Sequence, residues 1–223
     1  MMKKRTIAQE KAAVMVNKLI QAIDNDPYNV QNYYNLSVAL VEMKSYPQAE
    51  ELLKKALTIF KKQSEKDLLH YGLGNVYYSS ELYEQAILEY QLIQADKLKY
   101  DAYLMVAQSY YAKGEYQQAL VFALTATEYE GDNTISAKLL MANIFLAMGD
   151  FQQAKNYYDQ VLKIETDNLE ANFQRGVVAL ILEEDEAEYF AKVKELDSEY
   201  FAQMQQKLVE IEQFVQHFGP DKL

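Results

Sequence analysis

The stretch that decides the fold, residues 103–126, reads YLMVAQSYYAKGEYQQALVFALTA. Apolar residues recur at three- and four-residue spacing up to Tyr111, Lys113-Gly114 interrupts the pattern, and a similar run begins at Tyr116. Residues at that spacing lie on one face of a helix, and a glycine between two such runs marks a turn. The stretch therefore predicts a helix, a tight turn and a second helix.

The same pattern recurs without internal gaps in residues 33–56, 70–93 and 138–161. Each segment has a small residue in its first helix, an aromatic residue after the turn, and an alanine three residues later. The small residues are Ser37, Gly74, Ala107 and Ala142, the aromatic residues are Tyr46, Tyr83, Tyr116 and Phe151, and the alanines are Ala49, Ala86, Ala119 and Ala154. Small side chains at fixed places allow helices to approach closely.

This combination of residues resembles the tetratricopeptide repeat, whose period is about 34 residues. The resemblance implies an all-α fold, a right-handed superhelical solenoid of helix-turn-helix repeats. Two features depart from the family pattern. The usual proline after the second helix is present only as Pro27, and His70 and Lys138 stand where the family places tryptophan or a similar residue.

The pattern extends to both ends of the chain. Glu183-Glu184-Asp185-Glu186 replaces the turn aromatic of a fifth repeat, which we interpret as degenerate. We predict a capping helix over 1–27, repeats over 28–63, 64–99, 100–133 and 134–168, the degenerate repeat over 169–197, and an amphipathic capping helix over 198–223. The last helix carries one apolar stripe, formed by Phe201, Met204, Leu208, Ile211, Val215 and Phe218, and terminal repeats of solenoids need such covers.

Charge and composition exclude several classes of protein. The net charge is −11, which argues against a nucleic-acid-binding protein, and the absence of cysteine excludes disulfides and thiolate chemistry. The longest apolar run, residues 177–182, is too short to cross a bilayer, and Glu10 and Lys11 interrupt what would otherwise start like a signal peptide. We expect a soluble cytoplasmic protein that does not contact membranes.

The charge is unevenly distributed along the chain. Residues 1–66 carry 11 basic and 7 acidic side chains, whereas residues 67–223 carry 11 and 26. The acidic excess either keeps the protein soluble or steers a basic partner towards it.

No residues suggest catalysis. Histidine is the side-chain type suited to acid–base catalysis near neutral pH, and the chain has two, His70 and His217. His70 occupies a core position of the repeat, which favours a packed, hydrogen-bonded histidine. The acidic residues 183–186 lack the alternating ligands and the glycine of a calcium loop, so we interpret them as a solvated turn. We therefore predict a protein that is not an enzyme and has no cofactor and no metal site.

In the family that the sequence resembles, first helices line a concave groove that binds extended peptides or helices. The candidate groove residues are Tyr34 with Val38 and Val41, then Tyr71, Asn75, Tyr78, Leu104, Gln108, Tyr111, Leu139, Asn143, Leu146 and Phe173. Asn75, Gln108 and Asn143 would form an amide ladder for the backbone of a peptide. Each aromatic residue is equally compatible with packing between repeats.

The family's carboxylate clamp is not expected, because Tyr34, Val38 and Asn75 stand where the clamp has Lys, Arg and Asn. We predict an adaptor that binds a neutral or basic protein or peptide. The alternatives are a self-associating structural protein that dimerises through 198–218, a scaffold autoinhibited by the same helix, and a regulatory enzyme subunit without its own active site.

Overall fold

The computed structural model describes residues 2–130 and 135–218, and the secondary structure in these ranges is entirely α-helical, as predicted. The helices are α1 (Met2–Asn25), α2 (Val30–Glu42), α3 (Tyr46–Ile59), α4 (Gln63–Ser79), α5 (Tyr83–Gln91), α6 (Asp96–Ala112), α7 (Tyr116–Glu130), α8 (Ile135–Ala147), α9 (Phe151–Ile164), α10 (Leu169–Ile181), α11 (Ala187–Leu196) and α12 (Ser198–Phe218). The chain divides into two compact units, Met1–Glu115 and Tyr116–Leu223.

Five turns between consecutive helices of the described residues share one backbone conformation. In each turn one residue adopts a positive φ of 56–77°; these residues are Lys44, Glu81, Gly114, Gly149 and Glu183. The amide after each of them donates to a carbonyl in the last turn of the preceding helix, as in Ser45 N to Leu40 O (2.8 Å), which satisfies a helix-end acceptor. The fifth turn therefore keeps the geometry of the other four although it has lost their aromatic residue.

In the unit Met1–Glu115, the small residues of the repeat lie where helices come close. Gly74 of α4 packs under the ring of Tyr90 of α5, and a Cβ on Gly74 would lie 2.4 Å from a ring carbon. Ala49, Ala56 and Ala86 are fully buried. These contacts explain why the pattern demands a small side chain at each of these positions.

A buried carboxylate fixes the connection between α5 and α6. Asp67 of α4 retains 1% of its accessible surface and accepts hydrogen bonds from the backbone amides of Gln94 (3.2 Å) and Ala95 (2.9 Å) and from the side chain of Gln63 (2.8 Å). A buried carboxylate is tolerated when hydrogen bonds satisfy it. Asp67 thus holds the N-terminus of α6 against α4.

In the unit Tyr116–Leu223, α12 packs against α10 and α11. Leu208 of α12 is buried in a cluster with Phe173, Val177 and Val193, and Phe201, Met204 and Ile211 pack against that cluster. The side chains of Val215 and Phe218, which we placed on the same stripe, lie outside the described residues.

The acidic turn is only partly solvated. Glu183 and Asp185 are exposed, but Glu184 pairs with Lys155 of α9 and with Arg175 of α10. Arg175 is 5% exposed and also donates to Asp159 at 2.8 Å. The interpretation of 183–186 as a solvated turn is therefore wrong for Glu184, which bridges α9 and α10.

Candidate peptide-binding surface

The first helices α2 and α4 of consecutive repeats pack side by side and bring two tyrosines together. The ring centroids of Tyr34 and Tyr71 lie 6.4 Å apart, with the ring planes inclined by 35°. Both residues are half-buried, so each retains some accessible surface. Val38, one turn after Tyr34 on α2, is 37% exposed and extends the same apolar strip.

Asn75, one turn after Tyr71 on α4, organises these rings. Its Oδ1 accepts a hydrogen bond of 2.7 Å from the hydroxyl of Tyr90, and the ring of Tyr90 lies 5.7 Å from that of Tyr71. Tyr78, one further turn along α4, is half-buried and meets Tyr83 edge-on at 5.6 Å. We call Tyr34, Val38, Tyr71, Asn75 and Tyr78 the tyrosine face.

The tyrosine hydroxyls of this face stay protonated far above neutral pH. Burial, followed by the negative charge of Asp101, raises the pKa of Tyr34, and the same two causes raise the pKa of Tyr71 to about 12. Burial also raises the pKa of Tyr78. The rings are therefore neutral, with electron-rich faces and hydroxyls that can donate hydrogen bonds.

Sequence reasoning missed Asp101. It lies in α6, it is exposed, and its charge acts on both Tyr34 and Tyr71. The signal was available, because Asp101 precedes the predicted groove residue Leu104 by three positions and so shares its helix face.

In the third repeat, one of the three predicted groove residues is buried. Leu104 retains 7% of its accessible surface, which leaves little for a partner to contact. Gln108 and Tyr111 are half-buried on α6.

Two of the three amides in the predicted ladder, Asn75 and Asn143, already form hydrogen bonds within the chain. The Oδ1 of Asn143 accepts from the hydroxyl of Tyr158 at 2.5 Å, and its amide donates to Glu170 at 2.8 Å. Asn75 bonds Tyr90 in the same way. In both pairs the tyrosine follows the asparagine by 15 residues, and this recurring spacing could have identified the bond from the sequence.

The groove residues predicted in the second unit pack against neighbouring side chains, and Leu139, Asn143 and Leu146 are half-buried. Leu139 and Leu146 pack against the buried cluster around Ala142 and Tyr158. Phe173 retains 7% exposure and meets Tyr200 of α12 edge-on at 5.5 Å. Of the predicted groove residues, Tyr34, Val38, Tyr71, Asn75 and Tyr78 lie on α2 and α4, which pack side by side in the first unit.

His70 packs beside Glu89, with Nδ1 and Oε2 2.7 Å apart and both side chains mostly buried. This is the packed, hydrogen-bonded histidine that the sequence favours. Among the described residues, His, Asp and Glu do not gather in a group suited to a metal ion. None of the helices in residues 2–130 and 135–218 has an apolar stretch of the length that a bilayer crossing requires.

These features define a helix-turn-helix repeat protein with an aromatic face on its first helices. Tetratricopeptide-repeat family models match residues 33–62, 71–133 and 135–168, which together exceed half of the chain. The chain belongs to the tetratricopeptide-repeat family. Proteins with this fold generally mediate protein–protein interactions and are generally non-catalytic.

Known proteins of the same family share the fold at low sequence identity. A tetratricopeptide-repeat-containing protein of Methanocaldococcus jannaschii is 23% identical over 151 residues, which is 65% of this chain and 25% of the relative. The chain thus spans about a quarter of that relative.

Two solved structures show the similarity of the fold. YrrB, described as a tetratricopeptide-repeat protein with an unusual peptide-binding site, superposes with a TM-score of 0.58 at 19% identity and covers 85% of this chain and 97% of YrrB. PilF of Pseudomonas aeruginosa gives 0.68 at 18% identity, over 90% of this chain and 92% of PilF.

Proposed function

We propose that this chain is a non-catalytic cytoplasmic adaptor that binds a peptide segment or helix of a partner protein on the tyrosine face. One observation carries the proposal: several tyrosines on adjacent first helices pack against one another and still keep accessible surface. Their hydroxyls remain protonated donors, so the face combines apolar contact area with directional hydrogen bonds.

Rigid tyrosines suit recognition because little side-chain entropy is lost on binding. Tyr71 is fixed between Tyr34 and Tyr90, and Asn75 fixes Tyr90 through its hydroxyl. Buried aromatic anchors of this kind dominate binding energy at interfaces. The peptide-binding site described for YrrB, a protein of the same fold, supports the proposal.

In this proposal, Asn75 and Asn143 do not contact the backbone of the partner, as the predicted amide ladder would require. Because Asn75 and Asn143 already bond tyrosines within the chain, we assign contact with a partner to the rings and to Val38. Asn75 then acts by positioning Tyr90 and, through it, Tyr71.

A pull-down from native cells tests the proposal with the double variant Tyr34→Ala, Val38→Asp. Val38 is 37% exposed and Tyr34 is half-buried, so both side chains keep surface that a partner can reach. Leu88→Asp is the matched control, since Leu88 is 63% exposed on α5 of the same unit. We expect the double variant to lose a partner that the wild type and the control retain, with a loss above about 1 kcal/mol.

Identical sets of partners in all three samples would refute binding on the tyrosine face. Circular dichroism melts of the three proteins separate loss of binding from loss of fold.

Self-association through 198–218 remains a prediction. The described apolar residues Phe201, Met204 and Leu208 of that helix contact the buried cluster around Phe173 within the same chain. Dimerisation through this stripe would therefore require α12 to leave α10 and α11, at the cost of exposing Phe173.

A further inference from the structure

We propose that Tyr34, Tyr71 and Asp101 form a pocket for a cationic side chain, arginine above all, in the segment that the partner inserts. This inference rests on the proposed function and deepens it by naming the chemistry of the partner. Its core is two neighbouring ring faces with one carboxylate on the adjacent first helix.

The ring geometry decides how a guanidinium would lie. A planar group sandwiched between two rings needs about 7 Å, twice the contact distance of about 3.5 Å. The centroids of Tyr34 and Tyr71 are 6.4 Å apart and their planes diverge by 35°. The two rings therefore leave no room for a guanidinium between them, and in the proposed site the group contacts the pair from the solvent side.

The surrounding charge favours a cation. Helix α2 contains one charged residue, Glu42, and α4 has no Lys or Arg after Lys66 in its first turn. His70 of α4 is paired with Glu89. Within the described part of the chain, no Lys or Arg pairs with Asp101. Lys99 of α6 instead donates to the carbonyl of Ile93 at 2.7 Å and lies over the ring of Tyr103.

The carboxylate and the rings act together on the same guest. Helix α6, which carries Asp101, contacts α4, which carries Tyr71. Burial is the main cause of the raised pKa of Tyr34 and of Tyr71, and the negative charge of Asp101 is the second cause for both, so a cation placed against these rings also meets the field of Asp101. An exposed ion pair alone contributes little. Together, the carboxylate and the two rings give a site that prefers a charged group over a neutral group of the same shape.

The test uses two small probes on the full chain, N-acetyl-L-arginine amide and the corresponding citrulline amide. Citrulline has nearly the shape of arginine and no charge. Tyrosines are labelled with ¹³C in the ring, and Tyr34→Phe and Tyr71→Phe assign the two signals in NMR spectra. We expect the arginine amide to shift both signals with a millimolar Kd and the citrulline amide to bind about 5-fold more weakly or worse.

Asp101→Asn should reduce the preference for arginine over citrulline, because only the attraction to the rings then remains, whereas Asp96→Asn, a neutralised exposed acid on the same helix, should leave the preference unchanged. Equal shifts with the two probes in the wild type, a preference that Asp101→Asn leaves at the wild-type value, or no shift at roughly 50 mM probe would overturn the pocket.

The two proposals fail separately. A partner lost in the double variant Tyr34→Ala, Val38→Asp but bound at wild-type strength by Asp101→Asn would leave the adaptor function standing and refute the cation pocket. A partner bound equally by the double variant and the wild type would refute the adaptor surface.

Discussion

Lys44→Gly should stabilise the protein, because Lys44 is held in a conformation that costs an L-residue free energy. Its φ is 59°, and the left-handed region costs a residue with a Cβ about 1–2 kcal/mol. Glycine removes this strain but loses more entropy on folding, by about 0.5–1 kcal/mol. We expect a net gain of about 0.5–1 kcal/mol, since no ion pair or hydrogen bond of the Lys44 side chain is lost among the described residues.

The assay is thermal unfolding followed by circular dichroism, in which a gain of that size raises Tm by about 1–4 °C for a chain of this length. Lys55→Gly is the control: Lys55 is exposed within α3, where glycine costs up to about 1 kcal/mol. The reverse change, Gly149→Ala, should destabilise by about 1 kcal/mol through the backbone alone, because nothing lies within 4 Å of an added Cβ. If Lys44→Gly lowers Tm as Lys55→Gly does, the strain argument fails.

Three further changes test the packing and the charges. Gly74→Ala should destabilise by about 1–3 kcal/mol, measured by urea unfolding, because the new methyl group would lie 2.4 Å from the ring of Tyr90; an unchanged midpoint would contradict that contact. Asp67→Ala should cost about 3 kcal/mol in the same assay, since two backbone amides lose their acceptor, and a loss below 1 kcal/mol would mean that other acceptors replace it. The hydrogen bond from Lys155 lowers the pKa of the Glu184 carboxyl below its usual 4.5, although burial opposes this shift. The ion pair therefore stabilises the folded protein fully above about pH 4.5, and this stabilisation is lost as the pH falls. Glu184→Gln should therefore flatten the dependence of Tm on pH below about 5, and a slope equal to wild type would contradict the pairing.

The repeat was predictable because its pattern is a direct consequence of close packing. A side chain larger than hydrogen on Gly74 would collide with Tyr90, and a buried Ala86 or Ala154 leaves no room for more atoms. Such constraints restrict residue type at fixed intervals, and the intervals are visible in the sequence. The fold class followed from them without any knowledge of tertiary contacts.

The roles of polar residues were not predictable from a helix face alone. Asn75 and Asn143 were assigned to a partner because their face is accessible, but each bonds a tyrosine 15 residues later, on the paired second helix. Asp101 was missed because it becomes relevant only once α6 is placed beside Tyr71. A polar side chain has several possible partners, and only the assembled helices decide among them.

Charge separates the two units and links the acidic excess to the proposed pocket. Residues 1–115 carry 14 basic and 14 acidic side chains, whereas residues 116–223 carry 8 and 19, so the whole net charge of −11 resides in the second unit. The negative field of the second unit attracts cationic segments and accelerates their encounter with the chain. The tyrosine face of the neutral first unit would then distinguish arginine from other side chains at short range. Steering and recognition then have different salt dependence. Salt should slow association with a basic partner strongly, and it should weaken the contact of arginine with Tyr34 and Tyr71 less, because contact at an aromatic face is screened less than charges farther apart than about 10 Å.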